Sequence, residues 1–328
     1  MRSVRTQLTV FAAGLVLVVC LAFGFGGYFL SSQALVDSAE EALVEMAETT
    51  GMLTAQQLDQ MVETLTVLAA RRILTDGTPF QEVARDLQAE AERLGYEAFG
   101  IVDLAGRNRR TDGTTSDVSD RDYFQQARRG EPNISDVLIS RVTGEPIMVA
   151  AVPITRNGII EGVFLGIRDT GVLNRVVDNV GLGERGYSFV LNDEGTLIGH
   201  QDRALVRDQR NFIAESAVDP QYEELAGVMR RSIRGEVGVG SYWFQGSERT
   251  MGFAPIGDTG WSIMVGSFLD DVMQPVYTMR MVFLILGFAG LILGLVLAFF
   301  FSRGLKPVSI GFSGRKFSHN RRGCFVSW

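Results

Sequence analysis

The sequence predicts an α+β protein: two similar modules, each an antiparallel sheet with flanking helices, follow a long N-terminal stalk helix and lie between two transmembrane helices. Three observations carry this. Leu8 to Leu30 and Met281 to Phe301 are uncharged apolar runs of 23 and 21 residues, each long enough to cross a ~30 Å hydrocarbon core, which takes ~20 residues. Ser31 to about Leu74 contains no proline and repeats apolar residues at helical spacing. Beyond it, one phrase of short strands and glycine turns occurs twice.

The first run is 23 residues long, whereas the apolar core of a secretory signal is ~7–15 residues, so it reads as a retained anchor. Charge orients it. All 38 acidic residues fall within 31–280 together with 23 of the 31 basic ones, a net of −15, while both flanks are basic and free of acid. Basic flanks put both termini in the cytoplasm, so residues 31–280 are extracytoplasmic in a multi-pass protein, and their lack of cysteine suits the outer side of a bacterial inner membrane. The acidic segment has no basic patch for nucleic acid. Its only possible disulfide partners, Cys20 and Cys324, lie outside it, so it folds on an apolar core alone, which 250 residues can supply.

In the stalk, residues 31–74, Leu58, Met61, Leu65 and Leu68 repeat at helical spacing, and Leu35, Ala39, Ala42 and Met46 form a weaker stripe upstream, interrupted at Gly51. Two readings stand: the stripes pair with a second copy in a homodimer, or they pack on the chain's own domain. A turn at Asp76-Gly77-Thr78-Pro79 leads to a helix over Phe80 to Leu94, and Ala98 to Asp103 is then a strand closed by Leu104-Ala105-Gly106. The phrase returns as Tyr187 to Asn192 followed by Asp193-Glu194-Gly195. Gly130-Glu131 and Gly235-Glu236, and Ala151 to Ile154 and Phe253 to Ile256, repeat in the same order. One module therefore occupies 75–175 and a second 176–275.

The order of these phrases resembles a known family. Asp120-Arg121-Asp122-Tyr123-Phe124 in the first module, and Gly186-Tyr187, Gly195 to His200 and Thr259-Gly260-Trp261 in the second, resemble the double Cache sensor domains of bacterial receptors. The resemblance implies a PAS-like sheet in each module and a ligand in the membrane-distal one, 75–175, with 176–275 membrane-proximal. Family members are typically chemoreceptors, histidine kinases or nucleotide cyclases.

Arg121 beside Tyr123 and Phe124 suits a small organic anion: a guanidinium holds a carboxylate through two parallel hydrogen bonds while the rings bury the rest. In relatives that bind amino acids, the resemblance implies an aspartate at the end of a later strand, and Asp169 falls there. The other reading of Arg121 is an ion pair with Asp117, Asp120 or Asp122. Arg141 either adds a second cation to the site or is a solvated hairpin residue. His200, alone without a second histidine or a cysteine near it, makes a poor metal site and reads as structural, and Trp261 reads as core. No metal or cofactor motif and no catalytic constellation stands out, so the chain does not read as an enzyme.

After 281–301, Phe301 to Val308 resembles the opening of a HAMP relay, and the tail 302–328 holds both lysines of the chain, Lys306 and Lys316. The change from an arginine-only body suggests a truncated or frameshifted receptor whose output domain is missing; a natural basic tail on anionic lipid is the other reading. The function expected is a membrane receptor for an extracellular amino acid or organic acid. Its alternatives are a non-signalling membrane scaffold and the sensory fragment of a cyclase or kinase.

Overall fold

The computed structural model describes residues 4–71 and 80–304, with many side chains of the two apolar runs outside the description. The expected turn at 76–79 and the tail beyond Gly304 lie outside the described residues. Residues 31–277 form one compact unit; 4–30 and 278–304 belong to another. Helical backbone runs through both apolar runs, in α1 (Val4–Ala69) and α8 (Leu269–Gly304). Among the described residues no helix is long and apolar enough to cross a membrane.

The unit 31–277 holds two antiparallel sheets. After α2 (Phe80–Leu94) come β1 (Ala98–Val102), β2 (Arg107–Arg110), β3 (Thr115–Asp117), α3 (Asp122–Arg128), β4 (Asn133–Ile134), β5 (Leu138–Ile139), β6 (Pro146–Arg156) and β7 (Ile159–Asp169). Then α4 (Gly171–Asn179) leads to β8 (Tyr187–Leu191), β9 (Leu197–His200), α5 (Arg203–Arg207), α6 (Phe212–Glu215), α7 (Glu223–Ser232), β10 (Gly238–Phe244), β11 (Ser247–Pro255) and β12 (Ser262–Phe268). The N-terminal sheet runs β3-β2-β1-β7-β6-β4, with β5 also on β6, and the C-terminal sheet runs β10-β11-β12-β8-β9. Each places its first strand against its last, Ile101 opposite Phe164 in one and Val190 opposite Ile263 in the other. The sequence repeat is thus a repeat of topology. Gly106 and Gly195 turn the matching first hairpins at φ +89° and +84°, a conformation that costs glycine nothing.

Alternation along the strands divides the core. On β6, Met148, Ala150 and Val152 face backward, and on β7 so does Phe164; they join Phe99, the α1 residues Leu58, Leu65 and Leu68, and Val83 and Leu87 of α2 in one cluster. The same cluster takes in Ala254, Ile263 and Val265 behind the C-terminal sheet, so α1 backs both sheets. Forward-facing Ile147, Val149, Leu165 and Ile167 pack under α3, and Phe189, Met251 and Phe253 under α7.

The downstream stripe therefore packs on the chain's own domain: Leu58, Met61, Leu65 and Leu68 are all buried. Upstream, the buried line is Leu43, Ala47, Gly51 and Thr54, one helical position round from the residues the sequence singles out, and Leu35, Ala39, Ala42 and Met46 are half-buried. Gly51 is not an interruption. It lets the helix meet the sheet, since a Cβ there would stand 2.6 Å from the Pro255 carbonyl oxygen.

His200 ends β9, and its Nδ1 accepts a hydrogen bond from the Asp202 amide at 2.8 Å, which requires a neutral imidazole. Burial holds its pKa below the ordinary 6.5, against the opposing pull of Asp202. The unfolded chain then takes up the proton first as pH falls, so this contribution is complete above about 6.5 and is lost as pH drops toward the folded value. The melting midpoint of 31–277 should therefore fall between about pH 7.5 and about pH 5.5. His200→Asn, which keeps an acceptor but cannot titrate, should flatten that dependence. An identical slope in the variant would show that His200 contributes nothing to it.

Candidate functional site

The front face of the N-terminal sheet carries a cleft between the loop leading into α3 and the turn joining β5 to β6. Its floor is Val149, Leu165 and Ile167, and its walls include Asn108, Arg110, Asp117, Arg121, Tyr123, Ser140 and Arg141. The cleft is narrow: its free volume is about 30 Å³, room for ordered water only.

Each polar wall residue has a structural reason to be there. Arg121 is the N-cap of α3, in extended backbone at φ −85°, ψ 132°, so its side chain enters ahead of the helix, and it forms no ion pair among the described residues. Tyr123, two residues on, is buried, and burial pushes its phenol up to about 12; it stays a neutral hydroxyl. Arg141 reaches across from the β5–β6 turn and holds Asp120 with two hydrogen bonds of 2.6 and 3.1 Å, adding a third to the Asp117 carbonyl oxygen. This pair holds the Asp120 carboxyl below its usual range. Both side chains are about half exposed, 49% and 60%, so the clasp is of the weak surface kind, easily opened.

Two further groups lie deeper. Arg110 and Asn108 are only 4% and 3% exposed. Arg110 pairs with Asp112 at 2.7 Å, and Asn108 donates to Ser116, yet among the described residues the Arg110 Nε and the Asn108 Oδ1 have no partner. A buried donor and a buried acceptor without partners are unusual in a folded protein; here both residues line the cleft.

The structure brings Arg121, Tyr123 and Arg141 together and leaves Phe124 and Asp169 outside the lining. Phe124 is fully buried under α3 in the forward core, where the helical turn from Tyr123 directs it. Asp169 ends β7 on the same face as Leu165 and Ile167, but its Oδ1 accepts from the Gly171 amide at 2.9 Å at the start of α4. Asn108, Arg110 and Ser140 belong to the cleft and escape a reading of the sequence. Arg107-Asn108-Arg109-Arg110 looks like a solvated strand, yet every second residue of it is buried.

The cleft's rim is tied to the C-terminal sheet. Asp136, just before β5, accepts 2.6 Å from Trp261 Nε1 and 3.4 Å from Asn192 Nδ2, and Glu145, just before β6, pairs with Arg207 of α5 at 3.3 Å. Trp261 is core, as its sequence context suggests, with only 3% exposure, and its ring nitrogen is the cross-module donor. Trp261→Phe keeps most of the packing and removes that bond. It should cost 31–277 about 1 kcal/mol in urea denaturation, and a Trp261→Phe, Asp136→Ala double variant should cost little more than either alone; additive losses would rule out the link. Among the described residues no group of three His, Cys, Asp or Glu is placed to hold a metal ion.

Two tandem sheets of like topology backed by one long helix, with a cleft on the first, define the class of Cache sensor domains. Residues 31–276 match the family model of the Cache domain, dCache_1, and the chain belongs to that family. No curated protein matches the sequence. Among solved structures it is similar to the ligand-binding domain of the Pseudomonas fluorescens chemoreceptor CtaA in complex with L-serine, at 19% identity and a TM-score of 0.56, covering 71% of this chain and 99% of that one. It is similar also to the ligand-binding domain of the Pseudomonas aeruginosa amino acid chemoreceptor PctB in complex with L-Arg, at 18% identity and 0.55, covering 71% and 97%. The sensory domain of the Campylobacter jejuni chemoreceptor Tlp3 with isoleucine bound follows at 11% and 0.52, covering 74% and 98%. At these identities the likeness establishes the fold. These solved domains are the ligand-binding or sensory parts of chemoreceptors.

Proposed function

We propose that this protein is a membrane-anchored sensory receptor whose front cleft, in the membrane-distal module, binds a small extracytoplasmic amino acid or organic acid. The observation that carries the reading is Arg121: a guanidinium without an ion pair among the described residues, beside a buried tyrosine and an apolar floor. Such a pocket takes a carboxylate by charge-assisted hydrogen bonds and leaves the floor for the rest of a small molecule. Arg110 and Asn108 offer it a donor and an acceptor that lack partners. Asp169, on the same face as the floor, is the group that could hold an ammonium, and Arg141 adds a second cation to the rim. The relatives with serine, arginine and isoleucine bound favour the amino acid over the organic acid.

The narrow cleft requires the Arg141–Asp120 clasp to open for entry. The turn that opens carries Glu145 and adjoins Asp136, so ligand entry pulls on the C-terminal module through Arg207 and Trp261. Binding drives this only through unequal affinity for the two arrangements. The runs 8–30 and 281–301 are read as the membrane anchors, and α1 as the element that carries the shift toward the membrane and pairs two copies in a homodimer.

The test is a thermal-shift screen of 31–277, which has its own core and is the portion equivalent to the isolated domains of the relatives. A ligand at about 100 times its Kd should add ~2.7 kcal/mol. Each amino acid is compared with its deaminated acid. Stabilisation by the amino acid alone, weakened by Asp169→Asn, is the expected result; equal stabilisation by both would favour the organic acid. No response to any carboxylate would return the chain to the scaffold reading.

A further inference from the structure

The back of the N-terminal sheet carries a second cleft, of about 250 Å³, where α1 passes the turn between α2 and β1 and the first residues of α4. It is open as it stands, unlike the front cleft. Two arginines line it. Arg168 leaves β7 on the face opposite Asp169, because successive strand residues point to opposite sides, and its guanidinium lies over the Tyr96 ring at 5.3 Å. The Arg168 Nε is buried and has no hydrogen-bond partner among the described residues. Arg175 of α4 comes in from the other side. Neither arginine forms an ion pair among the described residues.

The remaining walls divide by chemistry. Gln57, Gln60 and Thr64 of α1 present amides and a hydroxyl, while Met61, Leu94 and Val172 are apolar. Two cations and a buried donor without partners among the described residues, together with an apolar patch, describe the complement of one ligand class. Guanidiniums bind the planar carboxylate through paired hydrogen bonds, and the patch would cover a small hydrocarbon body. The volume is just below the range of drug-sized sites, which limits the ligand to a small acid.

We propose that this back-face cleft is a second binding site, for a small organic carboxylate, held by Arg168 and Arg175 against the stalk helix. It is separate from the front cleft, which opens on the other side of the same sheet. An acid seated there joins α1 to β7 and α4, and so adds an input to the helix that the front-site ligand must move.

The test uses the full chain in detergent micelles with benzoate as probe, sodium chloride at equal ionic strength as baseline, and benzyl alcohol as the uncharged ring. Benzoate should raise the melting midpoint saturably while benzyl alcohol does not, and a saturable response should persist in Arg121→Ala, whose front cleft has lost its carboxylate-binding cation. Arg175→Gln, at an exposed position that the fold does not need, should raise the apparent Kd at least about tenfold; Arg168→Lys should do the same. A benzoate response lost in Arg121→Ala and kept in Arg175→Gln would place the acid in the front cleft and overturn the proposal. So would the absence of a saturable response, or one shared by benzyl alcohol.

Discussion

Gly252→Ala should detach the stalk helix from the C-terminal sheet and cost about 3 kcal/mol, the upper part of the range for overpacked cores. Gly252 lies mid-strand in β11, opposite Val239 on one side and Val265 on the other. A Cβ added there would overlap the backbone of Leu43 and Val44 in α1. Side chains can rotate away from such a clash, but main chain held in a helix cannot. The methyl group would therefore push α1 outward, taking the fully buried Leu43 and Ala47 with it. Gly227, inside α7, is the matched control. Nothing lies within 4 Å of a Cβ there, so Gly227→Ala should stabilise by about 1 kcal/mol through helix propensity alone. Urea denaturation of 31–277 reads both. A Gly252→Ala midpoint equal to wild type would mean that α1 does not touch β11 in solution.

The second large effect is on binding and leaves folding alone. Arg121→Ala should raise the Kd of whichever carboxylate the screen identifies by roughly 10- to 100-fold, since a hydrogen bond to a charged group contributes about 1.5–3 kcal/mol. Arg121→Lys should keep part of the affinity, because an ammonium is a point charge and cannot make the paired bonds of a guanidinium. Neither change should move the unliganded melting midpoint beyond the ±0.5 kcal/mol usual for surface positions, because Arg121 has no ion pair to lose among the described residues. Calorimetric titration measures the affinity, and the unliganded melt serves as the control. An unliganded protein strongly destabilised by Arg121→Ala would instead mark the arginine as part of the fold.

Much of this architecture is legible in the sequence, for reasons that are local. The two matching hairpins announce themselves because Gly106 and Gly195 must adopt positive φ, and the helices because their apolar residues recur at 3.6-residue spacing. The course of α1 is less legible. Small residues carry no strong apolar signal, so the buried line through Ala47, Gly51 and Thr54 looks like a break in the stripe. In the cleft, Arg121 and Tyr123 stand out because they adjoin in one phrase. Asn108 and Arg110 do not, since a strand of consecutive polar residues shows no apolar alternation to mark its buried side, and Phe124 is turned inward by the helix that begins two residues before it. Asp136 gives no sign of its role either: its partner, Trp261, is 125 residues away.

The decisive measurement is a crystal structure of 31–277 grown with the amino acid that gives the largest thermal shift. The ligand should lie on the front face of the N-terminal sheet, its carboxylate on Arg121, its side chain over Leu165 and Ile167, and the Arg141–Asp120 clasp displaced from its unliganded position. A ligand seated on the C-terminal sheet, or one whose carboxylate lies away from Arg121, would contradict the proposed site.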